Sequence, residues 1–382
     1  MWRSIASNAL TLLIVAVFLL GAVILWGQSQ YRSDGPLADA ICVRVAPGSN
    51  MRRVSEDLET QGAVSNGAIF RIGTDYTEKS NQLKAGAFLV PAGASMEAIA
   101  DIVTRGGAST CGTEVVYRIG VTRSAVQVRE LDPATSRFVE VVSFTPSEGE
   151  APEEFIKVRA QSDTRYRIAV AEGVTSWQIV DAIGKIDLLK GEVEVPAEGS
   201  LAPDSYEVRD GDTRESVIAR MTQAQEVLLA AAWESRAEGI PLKSQEELLI
   251  LASIIEKETG VAEERRQVAS VFTNRLNQGM RLQTDPTVIY GITKGEGVLG
   301  RGLRQSELRR ETPWNTYVIP GLPVTPIANP GRASLEAAAN PDSTKYIFFV
   351  ADGTGGHAFA VTLAEHNRNV AAWRKIEAER AN

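Results

Sequence analysis

No charged residue stands between Arg3 and Arg32, and the run Ala9-Leu10-Thr11-Leu12-Leu13-Ile14-Val15-Ala16-Val17-Phe18-Leu19-Leu20-Gly21-Ala22-Val23-Ile24-Leu25-Trp26 is apolar apart from one threonine. At ~1.5 Å per residue, a helix of about 18 such residues comes close to the ~30 Å of bilayer hydrocarbon. The pattern predicts a transmembrane anchor over residues 9–30, with residues 1–8 as a cytoplasmic tail. Trp2, Trp26 and Tyr31 fall near its ends, where amphipathic rings favour the interface. The competing reading is a cleaved signal peptide, which needs an apolar region of about 7–15 residues and a small-x-small site after it. Trp26-Gly27-Gln28-Ser29-Gln30 offers no such site. So short a leader favours an inside N-terminus and a large exported body, although only Arg3 and the terminal amine mark the inner side.

Beyond the anchor the periodicity changes repeatedly. Ile41-Cys42-Val43-Arg44-Val45 alternates like a strand, Pro47-Gly48-Ser49-Asn50 turns, and Val54, Leu58, Ala63 and Val64 follow at helical spacing. Gly86-Ala87-Phe88-Leu89-Val90 reads as a second strand, and Ser95 caps a helix over 96–103 that ends near Gly106-Gly107. This order predicts a small α+β module over 41–110. Residues 111–165 read as a β-rich insertion, including Val115–Ile119 and Phe138–Phe144, with the acidic 146–154 as an exposed loop. Arg165–Val170 and Ser176–Ile183 then repeat the strand-turn-helix theme, a weak hint of an internal repeat. From Asp212 the pattern is helical. A helix begins at Ser244 with Glu247 three residues on, a capping-box spacing, and runs to Gly260. The remainder to about 345 reads as loop-rich, followed by a strand at Tyr346–Val350 and a C-terminal helix from Leu363. The fold class expected is α+β, with 166–382 as a mixed, loop-rich domain.

Composition removes several function classes. The net charge of −8 argues against nucleic acid as a partner. Two cysteines and two histidines exclude a disulfide scaffold and a multi-cysteine zinc module. His357 and His366 lack the i, i+4 spacing of a helical metal site, so neither metal nor cofactor is expected. In an exported body Cys42 and Cys111 meet an oxidising compartment and could close a loop of about 70 residues. The alternative is two small, half-buried hydrophobes.

Chemistry concentrates at the end of the helix that starts at Ser244. At ~100° per residue, Glu258 shares the stripe of Leu251, Ile254 and Ile255, whereas Glu256 borders Leu249 and Ala252 and Lys257 lies opposite. A carboxyl among apolar side chains loses hydration, stays protonated to higher pH and can serve as a general acid. The alternative is a solvated last-turn pair of glutamates with Lys257. Arg281–Pro286, Trp314–Tyr317, Ile327–Gly331 and Gly355–Phe359 combine amides, hydroxyls and rings, which suits a carbohydrate groove and equally suits long turns that need stabilising.

Leu251-Ala252-Ser253-Ile254-Ile255-Glu256-Lys257-Glu258-Thr259, Val268–Leu276, Leu282-Gln283-Thr284-Asp285-Pro286-Thr287-Val288-Ile289-Tyr290-Gly291, Asn315-Thr316-Tyr317, Gly321-Leu322-Pro323, Ile327–Gly331 and Glu365-His366-Asn367 closely resemble the YceG-like (MltG) family of endolytic murein transglycosylases. Leu201–Tyr206 resembles the family's Pro-Asp-Thr-Tyr segment. The 111–165 stretch departs from the family pattern, as does Pro-Val-Thr-Pro at 323–326. The resemblance implies a LysM-like module at 41–110 and a YceG-like catalytic domain at 166–382. It implies a lyase that cuts nascent glycan strands of peptidoglycan, leaves 1,6-anhydroMurNAc ends, sits in the inner membrane with a periplasmic body, and works beside peptidoglycan synthases. Carried over by motif, Glu258 is the catalytic residue and Glu256 a supporting one, with exchanged roles still open. Substrate contacts fall to Gln283, Thr284, Asp285, Tyr290, Asn315, Tyr317, Asn329, His357 and Asn367. A non-catalytic wall-binding scaffold and a muramidase-type hydrolase are the competing functions.

Overall fold

In the computed structural model the described residues are 2–105, 110–161 and 164–380. The helix end expected at Gly106-Gly107, and Met1 of the expected tail, lie outside them. The fold is mixed α+β, as expected. It divides into two compact units: Met1–Val115 with Gln127–Phe144 and Gly149–Arg165, and Val116–Val126 with Thr145–Glu148 and Tyr166–Asn382. The stretch 111–165 is thus shared between them.

In the first unit α1 (Trp2–Arg32) contains the one described helix long and apolar enough to cross a membrane, Leu10–Arg32. Its 23 residues rise about 35 Å, and Leu12, Phe18, Leu20 and Leu25 are exposed along it. Tyr31, by contrast, is buried, with its ring where a Cβ on Gly73 would lie 2.2 Å away. Only glycine leaves room for that ring.

The module that follows is β1 (Ile41–Val45), α2 (Met51–Thr60), α3 (Gly67–Tyr76), β2 (Gly86–Val90) and α4 (Met96–Thr104), with β1 and β2 antiparallel and Val43 opposite Phe88. Alternate strand residues Val43, Val45, Phe88 and Val90 meet Val54, Leu58, Phe70, Ile99 and Val103 in one core. Sequence periodicity merges α2 with the segment after it, but the structure separates them. Gly62 takes φ 69°, and the Asn66 side chain accepts from the Ala68 and Ile69 amides to start α3. A disulfide joins Cys42 to Cys111, Cα atoms 5.9 Å apart, beside Ala87, Leu131 and Phe138. β3 (Thr113–Ile119), β4 (Ser124–Asp132) and β5 (Arg137–Phe144) supply the expected β content. The acidic loop is shorter than expected, because Glu153 and Glu154 open α5 (Glu153–Arg159), where carboxylates favour the helix N-terminus.

In the second unit β6 (Arg165–Val170) pairs antiparallel with β7 (Ser205–Val208), and α6 (Ser176–Gly184) begins with a complete capping box between Thr175 and Gln178. α7 (Arg214–Glu234), α8 (Gln245–Glu258) and α9 (Arg265–Asn277) follow. The expected cap of α8 forms by half. The Ser244 hydroxyl accepts from Glu247, while Glu247 reaches back to the Lys243 amide instead of Ser244. The region expected to be loop-rich contains α10 (Asp285–Thr293), α11 (Gln305–Leu308) and α12 (Arg332–Ala339) before the hairpin of β8 (Phe348–Ala351) and β9 (His357–Ala360) and then α13 (Leu363–Arg380). Leu248, Leu251, Ile254, Ile255, Val268, Phe272, Leu335 and Ala338 form the core that fixes α8.

Candidate active site

α8 ends in Glu256-Lys257-Glu258, and the ~100° step between residues sends the three side chains to three neighbourhoods. Glu258 is half-buried rather than projecting into solvent. The Thr284 hydroxyl donates to its Oε1, and Asp285, His357 and Arg275 are the titratable groups around it. Burial pushes the Glu258 carboxyl above the usual carboxylate range and the negative charge of Asp285 adds to this, whereas the Thr284 hydrogen bond and the Arg275 guanidinium act in the opposite sense.

Thr284 is held by its own turn. Its amide donates to Thr316 Oγ1 at 3.1 Å, and Thr287 Oγ1 bonds both Thr284 O (2.7 Å) and Thr316 Oγ1 (2.8 Å). Gln283, exposed and immediately before it, takes φ 49°, a left-handed conformation uncommon for a residue with a side chain. Pro286 in the first turn of α10 then supplies a preset helical φ. Tyr317 donates its hydroxyl to Asp285 Oδ1 at 2.6 Å. Burial and this contact keep the phenol protonated far above neutral pH. His357 enters from β9 with Nδ1 2.9 Å from Glu264 Oε2.

Four residues expected from the sequence therefore gather at Glu258: Thr284, Asp285, Tyr317 and His357. Two further participants, Arg275 and Glu264, escape the sequence reading. Arg275 does carry a signal, since it continues the apolar spacing Val268, Val271, Phe272 on α9, and it is buried there with Nη1 on Leu282 O (2.6 Å) and Nε on Ile347 O (2.7 Å). Glu264, in the 3-10 turn Ala262–Glu264, reads as one more surface charge.

The other expected residues go elsewhere. Glu256 Oε2 accepts from the Gly331 amide (2.9 Å) at the N-terminus of α12, a structural contact. Lys257 is half-buried, donates to Gly173 O (3.2 Å) and is pushed below its ordinary value by burial, so the terminal triplet is not a solvated ion pair. Tyr290 lies against Trp314, ring centroids 5.8 Å apart, and bonds Glu198. Asn315 and Asn329 depart from the substrate-contact expectation for one reason. Both are buried, with amides engaged by backbone: Asn315 Nδ2 on the carbonyls of Glu307, Leu308 and Arg310, and Asn329 between Val174 O and the Leu201 amide. They build turns. Asn367 is exposed on α13, whereas its neighbour His366 stacks on Phe348 at 5.0 Å. Among the described residues no three His, Cys, Asp or Glu side chains converge into a metal-holding group.

The sequence profile of the YceG-like family matches residues 128–372, which include every residue around Glu258. This chain belongs to the YceG-like family. The endolytic murein transglycosylase of Bacillus subtilis strain 168 is 27% identical over 354 residues, covering 92% of this chain and 89% of that protein. That of Streptococcus pneumoniae strain D39 is 28% identical over 341 residues, 87% of this chain and 58% of the relative. A crystal structure of a yceG-like protein of Listeria monocytogenes aligns over 86% of this chain and 99% of its own at 26% identity, with a TM-score of 0.45. The Glu-Lys-Glu terminus of α8 and the Gln283-Thr284-Asp285-Pro286 turn both lie inside the YceG-like span.

Proposed function

We propose that this YceG-like chain is a membrane-anchored murein transglycosylase, a lytic lyase, with Glu258 as its general acid and then its base. One observation carries the assignment: a desolvated carboxyl at the end of α8 holds a single hydroxyl donor and faces Asp285, Tyr317, Arg275 and His357. In the first step Glu258 gives its proton to the O4 of GlcNAc as the bond to C1 of MurNAc breaks. The C6 hydroxyl of the same MurNAc then attacks C1 and returns its proton to Glu258, closing a 1,6-anhydro ring. No water is consumed, and one carboxyl suffices for both transfers. Mass spectrometry of digested sacculi tests this, with anhydroMurNAc ends expected.

A muramidase-type hydrolysis is the second reading, favoured by Asp285, a second carboxylate next to Glu258. It requires reducing MurNAc ends in the same digest. Glycan binding without cleavage identifies the scaffold reading instead.

The assignment has a pH consequence. A protonated Glu258 is required for the first step, so activity falls as pH rises through its folded value, which burial raises. Thr284→Val removes the hydrogen bond that opposes that rise. The alkaline limb of the pH–rate profile is expected to move to higher pH in this variant; an unmoved or lowered limb contradicts the assignment.

For location we read Leu10–Arg32 as a single span with the body outside the inner membrane, supported by the exposed apolar helix and by the disulfide, which persists in oxidising compartments. An anchored enzyme would meet strands as they emerge, and on the family resemblance we propose peptidoglycan synthases as its partners. The antiparallel β1–β2 pair with two intervening helices supports a LysM-like, wall-binding role for 41–110.

A further inference from the structure

Glu264 is held in place from both sides. Its Oε1 accepts the His357 backbone amide at 2.9 Å and its Oε2 meets His357 Nδ1 at 2.9 Å. Both side chains are mostly buried, with 18% and 15% of their surface exposed. The backbone makes room for the carboxylate, because a Cβ on Gly356 would stand 2.4 Å from Glu264 Oε1. Phe349 and Phe359 flank the imidazole with ring centroids at 5.2 and 6.4 Å, so its plane is confined as well. Such a frame fixes which imidazole nitrogen carries the proton, since a carboxylate can only accept and Nδ1 must therefore donate. Nε2 remains as the second polar atom of the ring, whose neighbours include Glu258.

We propose that Glu264 is a positioning residue for glycan cleavage: it locks His357 as the Nδ1–H tautomer, so that the Nε2 lone pair accepts a hydrogen bond from a sugar hydroxyl next to the bond that Glu258 cleaves. The inference rests on Glu258 being the acid. Hydroxyl orientation is where such a contact acts, since a misplacement of about 1 Å can cost about 10²-fold in rate.

Glu264→Gln separates this from a packing role. The glutamine keeps the volume and one acceptor for the His357 amide, but it turns an N–H₂ toward Nδ1. That forces Nδ1 to accept and moves the proton to Nε2, where the lone pair is lost. The chain has two histidines, so ¹⁵N-histidine labelling with a His366→Gln variant for assignment reads the His357 tautomer directly. In the anchored, detergent-solubilised chain the expected result is a transfer of the His357 proton from Nδ1 to Nε2. A 10- to 100-fold fall in kcat should accompany it, with KM within about twofold. Gly356→Ala, which displaces the Glu264 carboxylate without changing its charge, is expected to lower kcat similarly and serves if Glu264→Gln does not fold. Native kcat in whichever variant folds overturns the proposal, as does a fall in kcat with the tautomer unchanged. Glu258→Gln run in parallel keeps the two claims apart. If that variant remains active, the acid assignment fails; if it is inactive while Glu264→Gln cleaves normally, the positioning role fails alone.

Discussion

A Glu258→Gln variant is expected to release anhydroMurNAc ends at least about 10²-fold more slowly than the native chain while being no less stable. The two readouts separate because one carboxyl sets both. A carboxamide has the shape of the carboxyl and can still accept the Thr284 hydroxyl, but it has no proton to give to the glycosidic oxygen. Stability runs the other way. Burial raises the folded-state pKa of Glu258 above that of the unfolded chain. The unfolded state therefore loses its proton first, and native stability declines as pH rises from the unfolded value through the folded one. Above the unfolded value the native chain loses that stability progressively, and glutamine removes the cause. Urea midpoints at pH 7 should thus be equal or higher in the variant, with digestion of sacculi nearly abolished. Retained cleavage removes Glu258 from the acid role. A large drop in the midpoint means instead that the carboxylate supports the fold.

How far this site can be read from residues alone depends on which contacts are local. The Ser244 cap, the Gly260 stop and the stripe of Leu251, Ile254 and Ile255 are properties of one helix, and its period suffices to send Glu258 and Lys257 to different neighbours, but not to show that Lys257 is half-buried as well. Glu256 is different. Whether it borders solvent or caps α12 depends on Gly331, 75 residues away, and no periodicity carries that information. The same holds for Asn315 and Asn329, whose side chains suit a sugar and a buried turn equally well until their depth is known. Short helices such as α3, α5 and α10 are missed or merged because a single Asn cap, a proline or two first-turn carboxylates decide them against weak apolar patterning. Glu264 is the hardest case, since it lies in a one-turn helix and its partner comes from a hairpin 93 residues on.

Removing the disulfide is expected to weaken the 41–104 module by about 4 kcal/mol, the chain-entropy figure for closing a loop of this size. The bridge spans 69 residues of sequence and ties β1 to Cys111, which follows α4. Without it the unfolded segment regains the conformations that the closed loop forbids. The folded side changes less, because Cys111 is fully buried beside Ala87 and Leu131 and alanine suits the same apolar site. A Cys42→Ala/Cys111→Ala chain in detergent should therefore exchange the slowest amides of β1, β2 and α4 about 10³-fold faster, if they open by unfolding of the module. Residues 244–277, which form α8 and α9 around their own core, should keep their protection. Reductant should reproduce the effect in the native chain and add nothing to the double variant. Unchanged exchange in β1 and β2 means that the hydrophobic core of Val43, Leu58, Phe70 and Ile99 holds the module unaided. Loss confined to this module, with sacculus cleavage intact at a temperature where the module is open, assigns the bridge to the stability of the 41–104 module and leaves the chemistry to α8 and the turns around it.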